Sequence, residues 1–279
     1  MRRGGRISSA SPDAESHPRH IRGAIAIGLV AGFLSGLFGV GGGILIVPGL
    51  VLLLGMDQRL AHGTSLGTAV PISISGLIGF AIAGKVDWPV SVPIIIGGAI
   101  GAVVGTRFLR QISSRKLRIA FALVLVATAA RLAVQIPQTH GRGPFDLALG
   151  LGLFALGLGS GVLAGLMGVG GGVVIVPALL IFWGLSSPVA KGTSLAVVVV
   201  TAIVGTVQNL RHRNVDVPVA VSAGLAGMLS AFGASVISVN IGGDLSNDLF
   251  AVLLGAVALR MLLRSRDRTG EAATTGPEP

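Results

Sequence analysis

Gly36-Leu37-Phe38-Gly39-Val40-Gly41-Gly42-Gly43 is matched by Gly165-Leu166-Met167-Gly168-Val169-Gly170-Gly171-Gly172 at a shift of 129 residues. The same shift places Ile46-Val47-Pro48 on Ile175-Val176-Pro177 and Gly63-Thr64-Ser65-Leu66 on Gly192-Thr193-Ser194-Leu195. Val86-Asp87 falls on Val215-Asp216, Pro89-Val90 on Pro218-Val219, Phe121 on Phe250 and Arg131 on Arg260. An ungapped match this long reads as an internal duplication, the usual ancestry of secondary transporters.

Outward from the glycine runs, apolar stretches recur in one order. The first unit has Gly23–Phe38, Ile44–Leu54, Thr64–Ala83, Val90–Phe108 and Leu117–Val134. The second has Phe145–Met167, Val173–Trp183, Thr193–Leu210, Val217–Val239 and Asn247–Leu263. Most approach the roughly 20 residues that cross a bilayer as a helix. With 52% hydrophobic and only 11% charged residues, a soluble core could not hide them. The expected fold is an all-α polytopic membrane protein of two homologous repeats, with 8 or more transmembrane segments. The expected boundaries are a disordered cytoplasmic tail over 1–20, repeat 1 over 21–134, a linker over 135–144, repeat 2 over 145–264 and a disordered tail over 265–279.

Residues 23–54 would be about 48 Å long as one helix, against a hydrocarbon core of about 30 Å. Three glycines and a proline interrupt it, and both residue types weaken helix interiors. The sequence leaves three forms open: a broken helix, a re-entrant hairpin or a tight pair of crossings.

Charge helps to orient the units. If the first element of each returns to its starting side, the repeats are inverted. Arg2, Arg3, Arg6, Arg19, Arg22, Arg59, Arg107, Arg110, Arg115, Lys116, Arg118, Arg211, Arg213, Arg260, Arg264, Arg266 and Arg268 then lie inside, and Lys85, Arg131, Arg142 and Lys191 outside, 17 against 4. A single crossing gives parallel repeats, moves Arg59 and the cluster from Arg107 to Arg118 outside and brings Lys85, Arg131 and Arg142 inside, leaving 14 against 7. The positive-inside rule favours inversion with a cytoplasmic N-terminus.

Several functions are excluded. The net charge of +10 sits at loops and ends, and aromatics are only 4%, so nucleic acid is not an expected partner. There is no cysteine, hence no thiol chemistry or disulfide. Asp or Glu enters the apolar stretches only at their outer ends, as Asp146 and Asp248, and never in their interiors, which disfavours a cation pump. No phosphate loop, metal-ligand spacing or nucleophile with a base is present, so no enzyme, metal or cofactor is expected.

The stretch from Gly32 to Gly43 with Pro48, repeated from Gly161 to Gly172 with Pro177, resembles the sulfite exporter TauE/SafE family of membrane transporters. The Gly-Thr-Ser segments at Gly63 and Gly192 are similar to its second shared feature, and the resemblance covers residues 23 to 264. It implies a multi-pass protein of the bacterial inner membrane that moves sulfite, sulfonates or related organosulfur anions.

Three groups are candidate substrate-binding residues. Gly41, Gly42, Gly43, Gly170, Gly171 and Gly172 free the backbone, and unwound backbone in a membrane survives only against protein or a water-filled path. Thr64, Ser65, Thr193 and Ser194 read as openings of helices, either as plain caps or as anion-binding helix ends. His62 and Lys191 occupy equivalent positions and read either as interfacial charges or as attractors of an anion. Other residues read as structural: Gly97, Gly101, Gly105, Gly157 and Gly161 as close helix contacts, Asp87 and Asp216 as caps, Gln208 and Asn209 as interfacial caps. The expected function is a secondary permease for small anions by alternating access. The alternatives are a carrier of another small anion or metabolite on the same scaffold, or a passive anion channel. The expected partners are the lipid bilayer and the small anion, with a homodimer open.

Overall fold

A computed structural model describes residues 13–108 and 146–241, together with Leu249, Val252, Gly255 and Ala256. All regular structure among them is helical: α1 (Asp13–Phe38), α2 (Gly43–Leu53), α3 (Gln58–Ile82), α4 (Trp88–Phe108), α5 (Leu147–Met167), α6 (Gly172–Phe182), α7 (Ser187–Arg211) and α8 (Val217–Asn240). Six helices, all but α2 and α6, are long and apolar enough to cross a membrane. At 11 residues each, α2 and α6 reach only about 16 Å, so they are not crossings. The apolar stretches 117–134 and 247–263, the linker 135–144 and the C-terminal tail lie outside the described residues, save for those four isolated positions.

α1 is described from Asp13 onward.

Each glycine run turns the chain back on itself. A Cβ at Gly23 would meet Leu54, one at Gly49 would meet Ile27, and one at Gly42 would lie 3.2 Å from the Ala31 carbonyl oxygen. α2 therefore descends along the lower part of α1. Of the three forms open in the sequence, the structure has a full helix followed by a half-length helix folded against it.

Long helices pair through small residues, as the glycine spacing predicts. Gly28, Gly32 and Gly36 of α1 pack on the backbone of Ala223, Gly227 and Ala231 of α8. Gly97, Gly101 and Gly105 of α4 pack on the backbone of α5 from Phe154 to Val162. Numbers rise together in both pairs, so each pair runs in one direction. α3 and α7 cross the other way: Gly76 meets Leu195, and Gly205 meets Leu66. Leu29, Val30 and Phe33 on α1 and Leu225 and Leu229 on α8 are exposed, as an apolar solvent requires.

Close backbone contact makes these glycines sensitive. A side chain at Gly101 would enter the Leu158 carbonyl and crowd the Val162 amide at 2.9 Å. Gly101→Leu should force α4 off α5 and cost about 2–3 kcal/mol. Thermal unfolding in detergent reads this as a clear fall in Tm; an unchanged Tm would contradict the packing.

Candidate functional site

The two glycine runs meet. A Cβ on Gly43 would lie 2.5 Å from the Val169 Cα and 2.7 Å from the Gly168 carbonyl oxygen. One on Gly172 would lie 2.9 Å from the Val40 Cα and 3.0 Å from the Gly39 carbonyl oxygen. Each run thus starts its short helix against the backbone of the other. Gly41 and Gly42 take φ of 76° and 74°, and Gly170 and Gly171 of 76° and 82°, the left-handed region where a Cβ is strained. Contiguous glycines therefore have two causes here: backbone handedness at the first two positions and close approach at the third. Gly42 and Gly171 cap α2 and α6 with no side-chain hydrogen bond. The Leu45 and Val174 amides donate back to the Gly42 and Gly171 carbonyls, each at 3.1 Å, and a helix start has no intrahelical acceptors for the N–H groups that precede them.

His62 and Lys191 flank the seam. Gly39 packs against the Lys191 backbone, its would-be Cβ 2.6 Å from the Lys191 Cα. Gly168 packs likewise against His62, at 2.9 Å. Lys191 belongs to the second turn of α7 and is only 1% exposed, so it is not the loop charge that the sequence allowed. Its Nζ donates to Ser238 Oγ at 3.4 Å and lies 5.7 Å from the centre of the Phe38 ring. Ser238 in turn donates to the Leu37 carbonyl at 2.7 Å. His62 is half-buried within α3, and its ring meets the Leu166 carbonyl. Each basic side chain thus stands at the carbonyl end of a long helix, α1 for Lys191 and α5 for His62, beside the break that follows.

The reading of Thr64-Ser65 and Thr193-Ser194 as helix starts is corrected. α3 starts after Asp57, whose carboxylate accepts from the Arg59 amide at 2.9 Å, and α7 starts after Ser186. The Thr-Ser pairs are buried in the second turn of each helix. Thr64 Oγ1 accepts from the Asp216 amide at 2.9 Å, and Thr193 Oγ1 accepts from the Asp87 amide at 3.0 Å. The preceding glycines make room for the same turns: Gly63 packs on the Asn214 carbonyl and Gly192 on that of Lys85. Asp87 and Asp216 then cap α4 and α8 through the Val90 and Val219 amides, at 3.2 and 3.1 Å, as the sequence predicts. Each Gly-Thr pair therefore clamps a turn contributed by the other half of the chain. The serines reach the seam: Ser65 donates to the Gly168 carbonyl at 2.9 Å and Ser194 to that of Gly172 at 3.5 Å.

Replacing both threonines by valine would strip two backbone N–H groups of their acceptors, at about 1–3 kcal/mol each. Thr64→Val/Thr193→Val should lower Tm while the folded fraction keeps its substrate KM. A raised KM at unchanged Tm would return the threonines to direct substrate contact.

Sequence reading passed over Ser238, the partner of Lys191, and Thr201, which donates to the Gly170 carbonyl at 3.0 Å. Hydroxyls inside otherwise apolar helices were the available signal, but their partners lie on distant segments.

Comparison with known proteins agrees with this architecture. The family model described as sulfite exporter TauE/SafE matches residues 2–132 and 153–279. A "Probable membrane transporter protein" of Xylella fastidiosa strain 9a5c is 28% identical, over 86% of this chain and 94% of its own. A "Probable membrane transporter protein YunE" of Bacillus subtilis is 24% identical, over 69% and 79%. A "Probable membrane transporter protein MJ0441" of Methanocaldococcus jannaschii is 29% identical, over 86% and 94%. No solved structure gives a significant match. With the family model matching both halves around the paired glycine runs, the chain belongs to the sulfite exporter TauE/SafE family of membrane transporters.

Proposed function

We propose that this protein is a secondary permease of the bacterial inner membrane that carries small oxyanions of sulfur, sulfite or a sulfonate, by alternating access. The observation that carries the reading is the meeting of the two glycine runs, where the starts of α2 and α6 face each other beside buried Lys191. Half-helices whose N-terminal ends converge inside a membrane protein suit an anionic group, because their N–H groups and dipoles favour negative charge. The substrate class comes from the family description, which names a sulfite exporter.

We read the chain as two inverted repeats. Helix bounds in the second half equal those of the first plus 129 for the starts and ends of α2 and α3 against α6 and α7 (43 and 53 to 172 and 182, 58 and 82 to 187 and 211). α1 runs with α8 and α4 with α5, while α3 and α7 oppose each other. That is the arrangement expected if the halves are related by a two-fold axis in the membrane plane. The charge balance of 17 against 4 then puts the N-terminus in the cytoplasm. In this reading α2 and α6 are re-entrant, entering from opposite sides, and rocking one half against the other opens the seam alternately. Gly41, Gly42, Gly43, Gly170, Gly171, Gly172, Lys191 and His62 line the site. Ser65 and Ser194 shape its floor, and Thr64 and Thr193 hold the surrounding turns.

Counterflow in proteoliposomes tests the function. Vesicles loaded with unlabelled sulfite should accumulate labelled sulfite without net flux. Movement that only dissipates the gradient would make the protein a channel, and failure of every sulfur oxyanion to move would remove the substrate class.

A further inference from the structure

The two glycine runs share a backbone but not a hydrogen-bonding environment. Between residues 39–43 and 168–172, the side-chain hydrogen bonds among the described residues all end on the second stretch: Ser65 on Gly168, Thr201 on Gly170 and Ser194 on Gly172. The position equivalent to Thr201 in the first half is Ile72, which is buried and donates nothing. The run from Gly39 to Gly43 is therefore not tied by side chains.

Beside that run lies a buried hydroxyl with no partner. Ser35 is fully buried in α1, and its Oγ has no hydrogen bond. The run folds back over this turn: the Gly39 amide donates to the Ser35 carbonyl at 2.7 Å, and Gly42 sits over Ala31, four residues earlier. Helical side chains lean toward the N-terminal turn, so the Ser35 hydroxyl leans toward Ala31 and the Gly42 cap of α2. It lies on the side of α1 opposite to exposed Val30, facing the protein interior. At the equivalent place beside the second run stands Ala164, also buried. A hydroxyl buried without a partner is destabilising, which a bound acceptor would offset.

We infer that Ser35 is a substrate-contacting residue, donating its hydroxyl to an oxyanion held at the start of α2, so that the first glycine run binds and the second, tied run serves as the fixed wall. This deepens the proposed function and rests on it. An acceptor-rich anion suits the arrangement, because the hydroxyl and the Gly43 and Ile44 N–H groups, which precede the first bonded amide of α2 at Leu45, are all donors.

The test is Ser35→Ala in proteoliposomes, with sulfite counterflow and thermal unfolding measured on the same preparation. The expected result is a KM raised about 10-fold, the loss of one good hydrogen bond, with kcat within about 2-fold of the unaltered chain and Tm unchanged or higher. The midpoint of sulfite-dependent thermal stabilisation should shift by the same factor. An unchanged KM overturns the inference and leaves the transport reading standing, whether or not Tm falls. Absence of sulfite counterflow by the unaltered chain overturns the transport reading, and this inference with it. Should Ser35→Ala fail to assemble, Ser35→Cys, of similar shape but a weaker donor, carries the same KM test.

Discussion

Gly43→Val should abolish transport and leave little assembled protein. The added Cβ would lie 2.5 Å from the Val169 Cα and 2.7 Å from the Gly168 carbonyl oxygen. Both are backbone atoms of the other half, so no side-chain rotation relieves the contact. Gly43 itself has a φ that any residue adopts, since it is absent from the left-handed positions, and the cost is steric. Overpacking against fixed backbone costs about 3 kcal/mol or more, a large part of a typical folding free energy of about 5–15 kcal/mol. Gly55 offers the matched control. Its φ is 65°, yet a Cβ there would have nothing within 4 Å. Gly55→Ala should cost only the left-handed strain, about 1–2 kcal/mol, and preserve transport. Expression of monodisperse protein and counterflow rate decide between the two; a functional Gly43→Val protein would mean that the runs do not touch.

Lys191→Met should lower kcat/KM by 100-fold or more, about 2.7 kcal/mol of lost transition-state stabilisation, without lowering Tm. Methionine keeps the length and apolar stem of lysine while removing the charge. Replacing a buried charged group by an apolar one of similar volume is often neutral or stabilising, so a loss of transport with Tm retained would place the effect in the substrate and not in the fold. The charge stands beside Phe38 and Ser238, at the carbonyl end of α1 and next to the first glycine of the run. If Lys191 served only those carbonyls, Lys191→Met would lower Tm and spare KM and kcat. Normal transport with a reduced Tm would therefore assign it to helix capping.

Much of the fold was readable because it rests on local and periodic signals. Apolar runs set the long helices, and the glycine-proline interruptions separated α1 from α2 and α5 from α6 at nearly the observed residues. Glycines at four-residue spacing on α4 and α5 announced their close packing. What failed depended on contacts between distant segments. Gly63 and Gly192 looked like breaks before new helices, but they sit inside α3 and α7 because a turn carbonyl of the other half presses on each. The polar Asp57-Gln58-Arg59 stretch hid the true start of α3, since its helical turns carry no apolar period. The burial of Lys191 was invisible for the same reason: α1 and α8, which cover it, lie far away in sequence. Of the candidate site, the glycine runs and the two basic residues come together, while the threonines turn out to be committed to neighbouring turns.

The central claim is that the glycine seam borders the substrate path. The chain has no cysteine, so a single Val40→Cys reports on that seam without background. Val40 is only 2% exposed and packs beside Gly172. A membrane-impermeant thiol reagent should modify it when applied from either side of sealed vesicles, slowly, and transported sulfite should slow it further. Active protein that is never modified from one of the two sides, with or without sulfite, would contradict the account.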